Sequence, residues 1–346
     1  MTDRPGFVSL LESPLHSISQ LLADAHAPVD PGVWLRALVD HGHDQLPLPG
    51  RGDTLGRWQV LACVAAADLS LAKLFEGHTD ALAILAELSA PAGEPGSRLW
   101  GVWCAEPPGH RVAIVPGPAG SAMLRGTKAW CSGAGALTHA LVSGWNPAGE
   151  PCLAAVALDQ PGVTITDQGW HAVGMRASGS VDVVFDNASA TLIGPPGAYV
   201  HRPGFLHGGA GVAACWYGGM TRVANTLLAA LPGGSADTHR LAHLGAIDVA
   251  MVQARAVLRE AAADIDAHPR DACALSCARA RLAVESAAAQ VLERAGRALG
   301  AGPLCRNAAF AQVMADLPVF IRQSHAERDQ AAHGAAVFKQ ETPWAL

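Results

Sequence analysis

The chain carries little charge for its length. Only 16% of its 346 residues are charged and half are apolar, which is typical of a compact globular protein and not of a disordered one. Lysine is especially scarce, with three residues in all: Lys73, Lys128 and Lys339. The formal net charge of −6 gives no electrostatic basis for binding nucleic acid or an anionic membrane. We therefore expect neither as a partner.

Long apolar runs and a basic leader are also missing. No apolar stretch reaches the roughly 18–20 residues of a membrane-spanning helix, and the start MTDRPGFVSL does not read as a signal peptide. The eight cysteines show no paired spacing, which favours free thiols in a reducing compartment. No H-E-x-x-H or similar metal-binding motif occurs. We expect a cytoplasmic protein without a bound metal.

Three zones of different pattern follow one another along the chain. The first is rich in Ala and Leu at helical spacing, the second has short strand-like runs separated by Pro and Gly turns, and the third has long helical segments. Because strands do not alternate with helices, a doubly wound α/β sheet is excluded. The predicted domains are a helical domain at 1–97, an antiparallel β-barrel or sandwich at 98–200, and a four-helix bundle at 201–346.

The predicted elements are bounded by turn residues and caps. The predicted strands are 99–105, 111–115, 122–124, 127–131, 140–145, 153–158, 163–166 and 180–185. The predicted bundle helices are 206–231, 238–267, 272–299 and 304–332, and Pro318 is expected to kink the last of them. The G-x-G-x-x-A run at 209–214 has no strand before it, so it indicates close helix packing and not a dinucleotide site.

The segment Leu124–Ala136, LRGTKAWCSGAGA, is the most informative motif. It reads as strand, turn, strand and glycine-rich bend, and Trp130, Cys131 and Ser132 lie at the end of the second strand. An aromatic side chain next to a small hydroxyl at a strand end is suited to holding a flat ring with hydrogen-bonding edges.

This segment and several others occur in the order in which the acyl-CoA dehydrogenase superfamily has them. The chain resembles that superfamily over about residues 55–335. The matching segments are Ala67–Ala72 (ADLSLA), Val102–Pro107 (VWCAEP), Leu124–Ser132, Gly174–Ser178 (GMRAS), Leu299-Gly300 and Met314–Asp316. Asp68–His78, DLSLAKLFEGH, also resembles a less-characterised bacterial branch. The resemblance implies an α+β fold of helical domain, β-domain and four-helix bundle, assembled as a homodimer or homotetramer.

The resemblance also implies a flavin, FAD, between the β-domain and the bundle. In the family the tryptophan of this segment packs against the flavin and the Ser or Thr two residues later hydrogen-bonds it; these are Trp130 and Ser132 here. Cys131 between them and Glu106, which is retained at an earlier strand end, are further cofactor-binding candidates. Alternatively, Trp130 is a core residue of the β-domain.

Two phosphate-binding features of the family are missing. The family continues its T-E-P strand end into G-x-G-S, whereas this chain has Ala105-Glu106-Pro107 followed by PGHR. The R-x-x-F motif that reaches the flavin pyrophosphate of a neighbouring subunit is absent from Leu231–Leu241, LPGGSADTHRL. Ordinary cofactor geometry is therefore not expected at these points.

The catalytic carboxylate of the family is missing as well. Dehydrogenation of an acyl thioester needs a base within reach of the α-proton, but the usual glutamate position holds Ser324 and the alternative position falls in HGGAG at 207–211. Glu327 and His325 are the candidate substitutes, with Asp329 nearby. The competing interpretation is a solvated helix end with local ion pairs.

Three functions fit this sequence. The first is a flavin-dependent oxidoreductase acting on the CH–CH group of an acyl thioester such as an acyl-CoA. The second is a flavin-dependent monooxygenase of the same fold, which needs no such carboxylate. The third is a catalytically inactive paralogue that serves as a binding or scaffold subunit.

Overall fold

The computed structural model describes residues 14–23, 30–231, 237–341 and 344. The N-terminal part of the chain is helical. An aspartate precedes each of its second, third and fourth helices and caps it by accepting a hydrogen bond from a backbone N–H two or three residues further on: Asp30, Asp53 and Asp68. These helices are α1 (Pro14–Ala23), α2 (Pro31–Asp40), α3 (Thr54–Ala67) and α4 (Leu69–Glu87).

Seven strands form one sheet in the middle of the chain. They are β1 (Trp100–Trp103), β2 (Ala113–Pro116), β3 (Ser121–Cys131), β4 (His139–Trp145), β5 (Pro151–Ala157), β6 (Val163–Ile165) and β7 (Val181–Leu192). The order β1-β4-β2-β3-β7-β5, together with a β4–β5 pairing, closes five strands into a barrel, to which β1 and β6 are added. Most pairings are antiparallel as predicted, but β4 pairs in parallel with β1 and β2.

Two strands are longer than the sequence predicts. The predicted runs at 122–124 and 127–131 form one strand, in which Gly126 adopts a φ of +115° and stays paired with Phe185, while β7 accommodates one extra residue, Asn187, opposite the step from Leu124 to Arg125. Strand β7 continues past Phe185 to Leu192, where it pairs with both β3 and β5. Pairing partners on both sides stabilise a polar stretch that has weak strand propensity of its own.

The C-terminal part is helical again. It contains α5 (Ala198–His201), α6 (Gly204–Ala229), α7 (Thr238–Ala267), α8 (Ala274–Leu299), α9 (Ala301–Arg306), α10 (Ala308–Phe320) and α11 (Glu327–Val337). The predicted continuous helix over 304–332 is wrong. Asn307 starts a new helix by capping Phe310, and the chain leaves the helix again at Ser324, which is extended. Pro318 lies inside α10.

Helix α6 is the centre of the helical part and packs on α3, α4, α7 and α8. It contacts α3 very closely, since a Cβ on Gly218 would lie 2.2 Å from the carbonyl oxygen of Ala62. The Gly209–Ala214 run lies inside this helix and not at a strand-to-helix turn, and a Cβ on Gly211 would lie 3.3 Å from Trp58 Nε1. In the described residues α7 alone is long and apolar enough to cross a membrane, and it packs on α8 and α6.

Several contacts join the barrel to the helices, and two of them involve α4 and α10. Helix α4 lies on β1, where Trp100 packs with Ile84 and Leu85 in a buried cluster. On the other side, the backbone N–H of Met175 donates to the buried carboxylate of Asp316 on α10. The space between these two contacts is where the β-domain faces the bundle.

Candidate functional site

A bulge near the end of β3 shapes one side of the site. The register with β7 shifts between Lys128 and Cys131, and Trp130 in the bulge has a left-handed φ of +57°. A tryptophan in that conformation is strained. The bulge turns its ring outward, and Trp130 is 50% exposed although it lies in a strand of the barrel. The core alternative for Trp130 is therefore wrong.

Ser132 begins a chain of three hydroxyl groups. Its Oγ lies 2.8 Å from that of Ser180, which lies 2.8 Å from that of Ser178, and Ser178 donates to the carbonyl oxygen of Met175. Since each hydroxyl has one proton, Ser132 donates to Ser180 in this arrangement. Its lone pairs remain available, so Ser132 meets a bound molecule as an acceptor.

The other two cofactor candidates are already engaged. Cys131 is fully buried, its thiol donates to the carbonyl oxygen of Lys128 at 3.1 Å, and burial raises its pKa far above the usual thiol value. Glu106 accepts from Trp145 Nε1 at 2.8 Å and lies 3.5 Å from Lys128 Nζ. Lys128 is itself buried and donates to both oxygens of Ser143 at 2.9 Å. Lys128 thus connects Glu106 with the bulge.

The catalytic candidates lie on another element. His325 and Glu327 are exposed at the start of α11, and the His325 backbone N–H donates to Asp329 Oδ2 at 3.0 Å. The His325 ring lies 3.5 Å from the same carboxylate. Both contacts are local to this helix end, and neither involves Glu327. The catalytic roles of Glu327 and His325 stay predictions.

Glu285 on α8 is a carboxylate that the sequence analysis missed. The hydroxyl of Ser324 donates to its Oε2 at 2.5 Å, and Arg322 Nη2 pairs with its Oε1 at 2.5 Å. A carboxylate therefore lies next to the usual base position, but both of its oxygens already accept strong hydrogen bonds.

Arg281, one turn before Glu285, links the two positions at which the family places its base. Its guanidinium donates to the carbonyl oxygen of Gly209 in the HGGAG run and, at 3.3 Å, to that of Gln323 beside Ser324. It also lies 5.0 Å over the ring of buried Trp216. Burial lowers the pKa of Arg281, but an arginine remains cationic near neutral pH. This part of the molecule therefore holds a cationic guanidinium close to the carboxylates of Glu285 and Asp329.

A narrow polar cleft of about 10 Å³, with room for about one water molecule, lies where α3, α4 and α6 meet. Its lining residues come from well-separated parts of the chain: Arg57, Trp58, Leu61, Glu76, Asp80, His207, Gly208 and Gly211. Arg57, Glu76 and His207 are more than nine-tenths buried. The signal for this cleft was present as charged residues inside Ala- and Leu-rich helices, but sequence spacing alone does not bring them together.

Polar side chains also connect this cleft with the barrel. Tyr199 lies beside Cys104, at the end of β1, and burial raises the pKa of Tyr199 well above its usual value, with Cys104 and Asp80 acting in the same direction. Burial likewise raises the pKa of Cys104, against the effect of Lys128.

The residues at the bulge fit a flavin ring. An exposed indole offers an aromatic face, and the acceptor lone pairs of Ser132 suit a ring N–H such as that of N5 in reduced flavin. The turn after Glu106 gives less support for a pyrophosphate, because Pro107 and Pro108 precede Gly109 and the G-S pair is missing. Trp130 and Ser132 would hold the ring.

Comparisons with known proteins were made at the levels of sequence and structure. No protein-family profile matches the chain. Amino sugar nitrososynthase DnmZ of Streptomyces peucetius is 51% identical over 71 residues, or 19% of this chain and 17% of that protein. Amino sugar nitrososynthase RubN8 of Streptomyces rubradiris is 44% identical over 78 residues, or 21% of this chain and 18% of that protein. The chain thus matches less than a fifth of the length of either relative.

Solved structures match over nearly the whole chain. KijD3, in complex with FMN and a dTDP-linked amino sugar, has a TM-score of 0.76 at 22% identity and covers 93% of this chain and 90% of its own. Butyryl-CoA dehydrogenase of Megasphaera elsdenii has a TM-score of 0.79 at 16% sequence identity, and the match covers 98% of this chain and 100% of that protein. Dibenzothiophene monooxygenase TdsC of Paenibacillus sp. A11-2 has a TM-score of 0.75 at 19% sequence identity, and the match covers 94% of this chain and 97% of that protein. The chain has the acyl-CoA dehydrogenase-like fold, which confirms the fold that the resemblance implies.

Proposed function

We propose that this chain is a cytoplasmic, flavin-dependent monooxygenase that oxidises the amino nitrogen of a small polar molecule. The cationic Arg281 is the observation that carries the choice of oxygenation over acyl-CoA dehydrogenation. A dehydrogenase needs a carboxylate that removes a proton beside the substrate thioester. Here a guanidinium binds the backbone at both family base positions. All eight cysteines are free, which is consistent with a reducing compartment.

The comparisons support the same choice. The two sequence relatives are named amino sugar nitrososynthases, and the KijD3 structure holds FMN and an amino sugar nucleotide. Nitrogen oxygenation inserts one atom of O2 into an N–H bond to give a hydroxylamine. The other oxygen atom leaves as water, and two electrons and two protons are consumed. Bound reduced flavin supplies the electrons and activates the oxygen.

The residues of the chain would position the reactants. Trp130 would support one face of the flavin ring and Ser132 would accept from its edge, while Arg281 favours negative charge nearby. FAD is the flavin that the resemblance implies. The missing G-x-G-S and R-x-x-F motifs remove partners of its pyrophosphate, so we expect FMN to bind at least as tightly.

The visible spectrum of the purified protein and titrations with FMN and FAD test this function. We expect flavin binding, followed by oxygen-dependent conversion of an amine to a hydroxylamine when a flavin reductase and NADPH are added, with product detected by mass spectrometry. Absence of binding by both flavins would contradict all flavin-dependent functions and favour the scaffold paralogue.

Dehydrogenation is the second candidate, and Glu285 beside Ser324 is the observation that favours it. An acyl-CoA panel added anaerobically to the flavin-loaded protein separates the two. Bleaching of the oxidised flavin by an acyl-CoA would reject the oxygenase proposal. We expect no bleaching, because both oxygens of Glu285 are engaged.

We also propose that the chain self-associates through α7. Three apolar side chains on this helix are at least two-fifths exposed: Leu241, Val249 and Val252. Exposed apolar rows of this kind mark contact surfaces. Light scattering after size exclusion should give a dimer or tetramer, and Val249→Glu should shift it toward the monomer. A monomeric wild type would contradict this.

A further inference from the structure

Arg111 directly follows the turn Pro107–His110 and, by position, replaces the serine of the family's G-x-G-S. It is exposed, and its guanidinium carbon lies 3.9 Å from the centre of the Trp145 ring. The indole N–H of Trp145 donates to Glu106 at 2.8 Å, which fixes that ring in turn. Stacking of this kind holds an arginine in one orientation and leaves the N–H groups at the edge of its plane available.

The charge of Arg111 is not paired within the described part of the chain, where its guanidinium has no carboxylate oxygen within 4 Å. The carboxylates that contact its neighbours have other partners. Glu106 lies 3.5 Å from Lys128 Nζ. Asp182 lies 3.6 Å from the ring of His110. An exposed and oriented guanidinium without a carboxylate is suited to a phosphate group, which its planar fork binds through two parallel hydrogen bonds.

The distance between Arg111 and Trp130 matches the length of one flavin nucleotide. A Cβ on Gly126 of β3 would lie 2.6 Å from the carbonyl oxygen of Arg111, so the two backbones are in contact. Gly126 precedes Trp130 by four residues on the same strand, which corresponds to about 13 Å at the rise of a β-strand. The ribityl chain of FMN and half of its ring system together span a distance of this order. A flavin ring on Trp130 would therefore have its phosphate near Arg111.

We propose that Arg111 binds the terminal phosphate of the flavin, so that FMN is held at both ends by a single chain. A phosphate monoester carries about −1.5 to −2 charges at neutral pH, and a guanidinium matches it in both charge and geometry. The pyrophosphate of FAD would need the further partners that the missing G-x-G-S and R-x-x-F motifs supply in the family. This inference rests on the proposed flavin-dependent function and adds to it a phosphate site in the barrel, apart from Trp130 and Ser132.

Riboflavin and FMN test the site, because they differ only in the phosphate group. Each is equilibrated by dialysis with the purified, flavin-free protein, and the free flavin is measured by its fluorescence. We expect FMN to bind at least about tenfold more tightly than riboflavin. The ratio of the two affinities should fall at high ionic strength, where an exposed ion pair is screened. Equal affinities of the wild-type protein for FMN and riboflavin would overturn the proposal.

Two variants of Arg111 locate the contact. Arg111→Gln removes the charge of an exposed side chain, and we expect its affinity for FMN to fall at least about tenfold while its affinity for riboflavin stays at the wild-type value. Retained binding of riboflavin shows that the variant is folded. Arg111→Lys keeps the charge but loses the planar fork, so it should retain part of the preference for FMN. An unchanged affinity of Arg111→Gln for FMN would overturn the assignment.

The matched control is Arg98→Gln. Arg98 also lies over an indole ring of the barrel, 5.8 Å from the ring centre of Trp100, but it lies just before β1. We expect its affinity for FMN to match wild type, and an equal loss in Arg98→Gln and Arg111→Gln would overturn the assignment. If the preference for FMN depends on Arg111 but no amine is oxidised, the phosphate site stands and the proposed oxygenase function fails. If amines are oxidised while FMN and riboflavin bind equally, the function stands and the phosphate site fails.

Discussion

The polar groups at the barrel bulge and those at the cleft between α3, α4 and α6 differ in whether they have hydrogen-bond partners. On the barrel side, Lys128, Glu106 and the Ser132 chain hydrogen-bond one another or the backbone, and only an aromatic face is offered outward. On the helical side, Trp58 and Asp80 face a cleft without hydrogen-bond partners among the described residues. A satisfied network gives a rigid surface suited to a flat ring. A buried water molecule would satisfy such a group in a cleft of about 10 Å³.

Gly174→Ala should have the largest effect on stability, because Gly174 lies where the β-domain contacts α10. A Cβ at Gly174 would lie only 1.9 Å from the carbonyl oxygen of Ala315 on α10, so the backbone must move. We expect a loss of about 3 kcal/mol or more in the free energy of unfolding, measured by urea denaturation.

Gly135→Ala is the control for Gly174→Ala. Gly135 is exposed in the glycine-rich bend and has open space where a Cβ would go. We expect its stability to stay within about 0.5 kcal/mol of wild type. Equal stability of both variants would show that the contact with α10 does not hold the barrel in place.

Lys128→Met tests whether the barrel side is rigid because its charges are satisfied. The change leaves Ser143 and Glu106 without their shared donor, and we expect a loss of about 2 kcal/mol. Burial lowers the pKa of Lys128, so the unfolded chain binds more protons just below the usual lysine pKa. The free energy of unfolding of the wild-type protein should therefore rise with pH as the pH approaches about 10.4.

That rise must be absent from Lys128→Met. The measurement is the difference in unfolding free energy between the two proteins as a function of pH, which cancels titrations that they share. A difference that does not change between neutral pH and the lysine range would contradict the depressed pKa of Lys128.

Trp130→Ala should affect flavin binding and leave stability almost unchanged. The Trp130 ring is half exposed, so its removal costs little core packing. The backbone strain at its left-handed φ remains in the alanine variant. We expect at least tenfold weaker binding of FMN in a fluorescence titration, equivalent to about 1.4 kcal/mol. Val173→Ala, another exposed apolar residue near the barrel, serves as the control. Unchanged flavin affinity in Trp130→Ala would reject the barrel side as the flavin wall.

The same contrast explains what the sequence could predict. The order of helices, strands and helices, and the helix at 238–267, follow from local periodicity and caps. Trp130 and Ser132 could be selected because they are adjacent in one motif. Residues such as Arg57, Asp80 and Arg281 come together only through the packing of α3, α4, α6 and α8. The break at Ser324 also escaped prediction, since no Pro or Gly marks it in the sequence IRQSHAERD.

Glu327→Gln should have the smallest effect, and it decides whether the start of α11 belongs to the site. Glu327 is exposed in the first turn of the helix, where its charge favours the helix dipole by about 0.3–1 kcal/mol. We expect the rates of flavin reduction and of amine oxidation to match wild type. A base that removes the substrate proton would instead lose about a hundredfold or more in rate when neutralised. Such a loss would identify Glu327 as the catalytic base and favour acyl-CoA dehydrogenation over oxygenation.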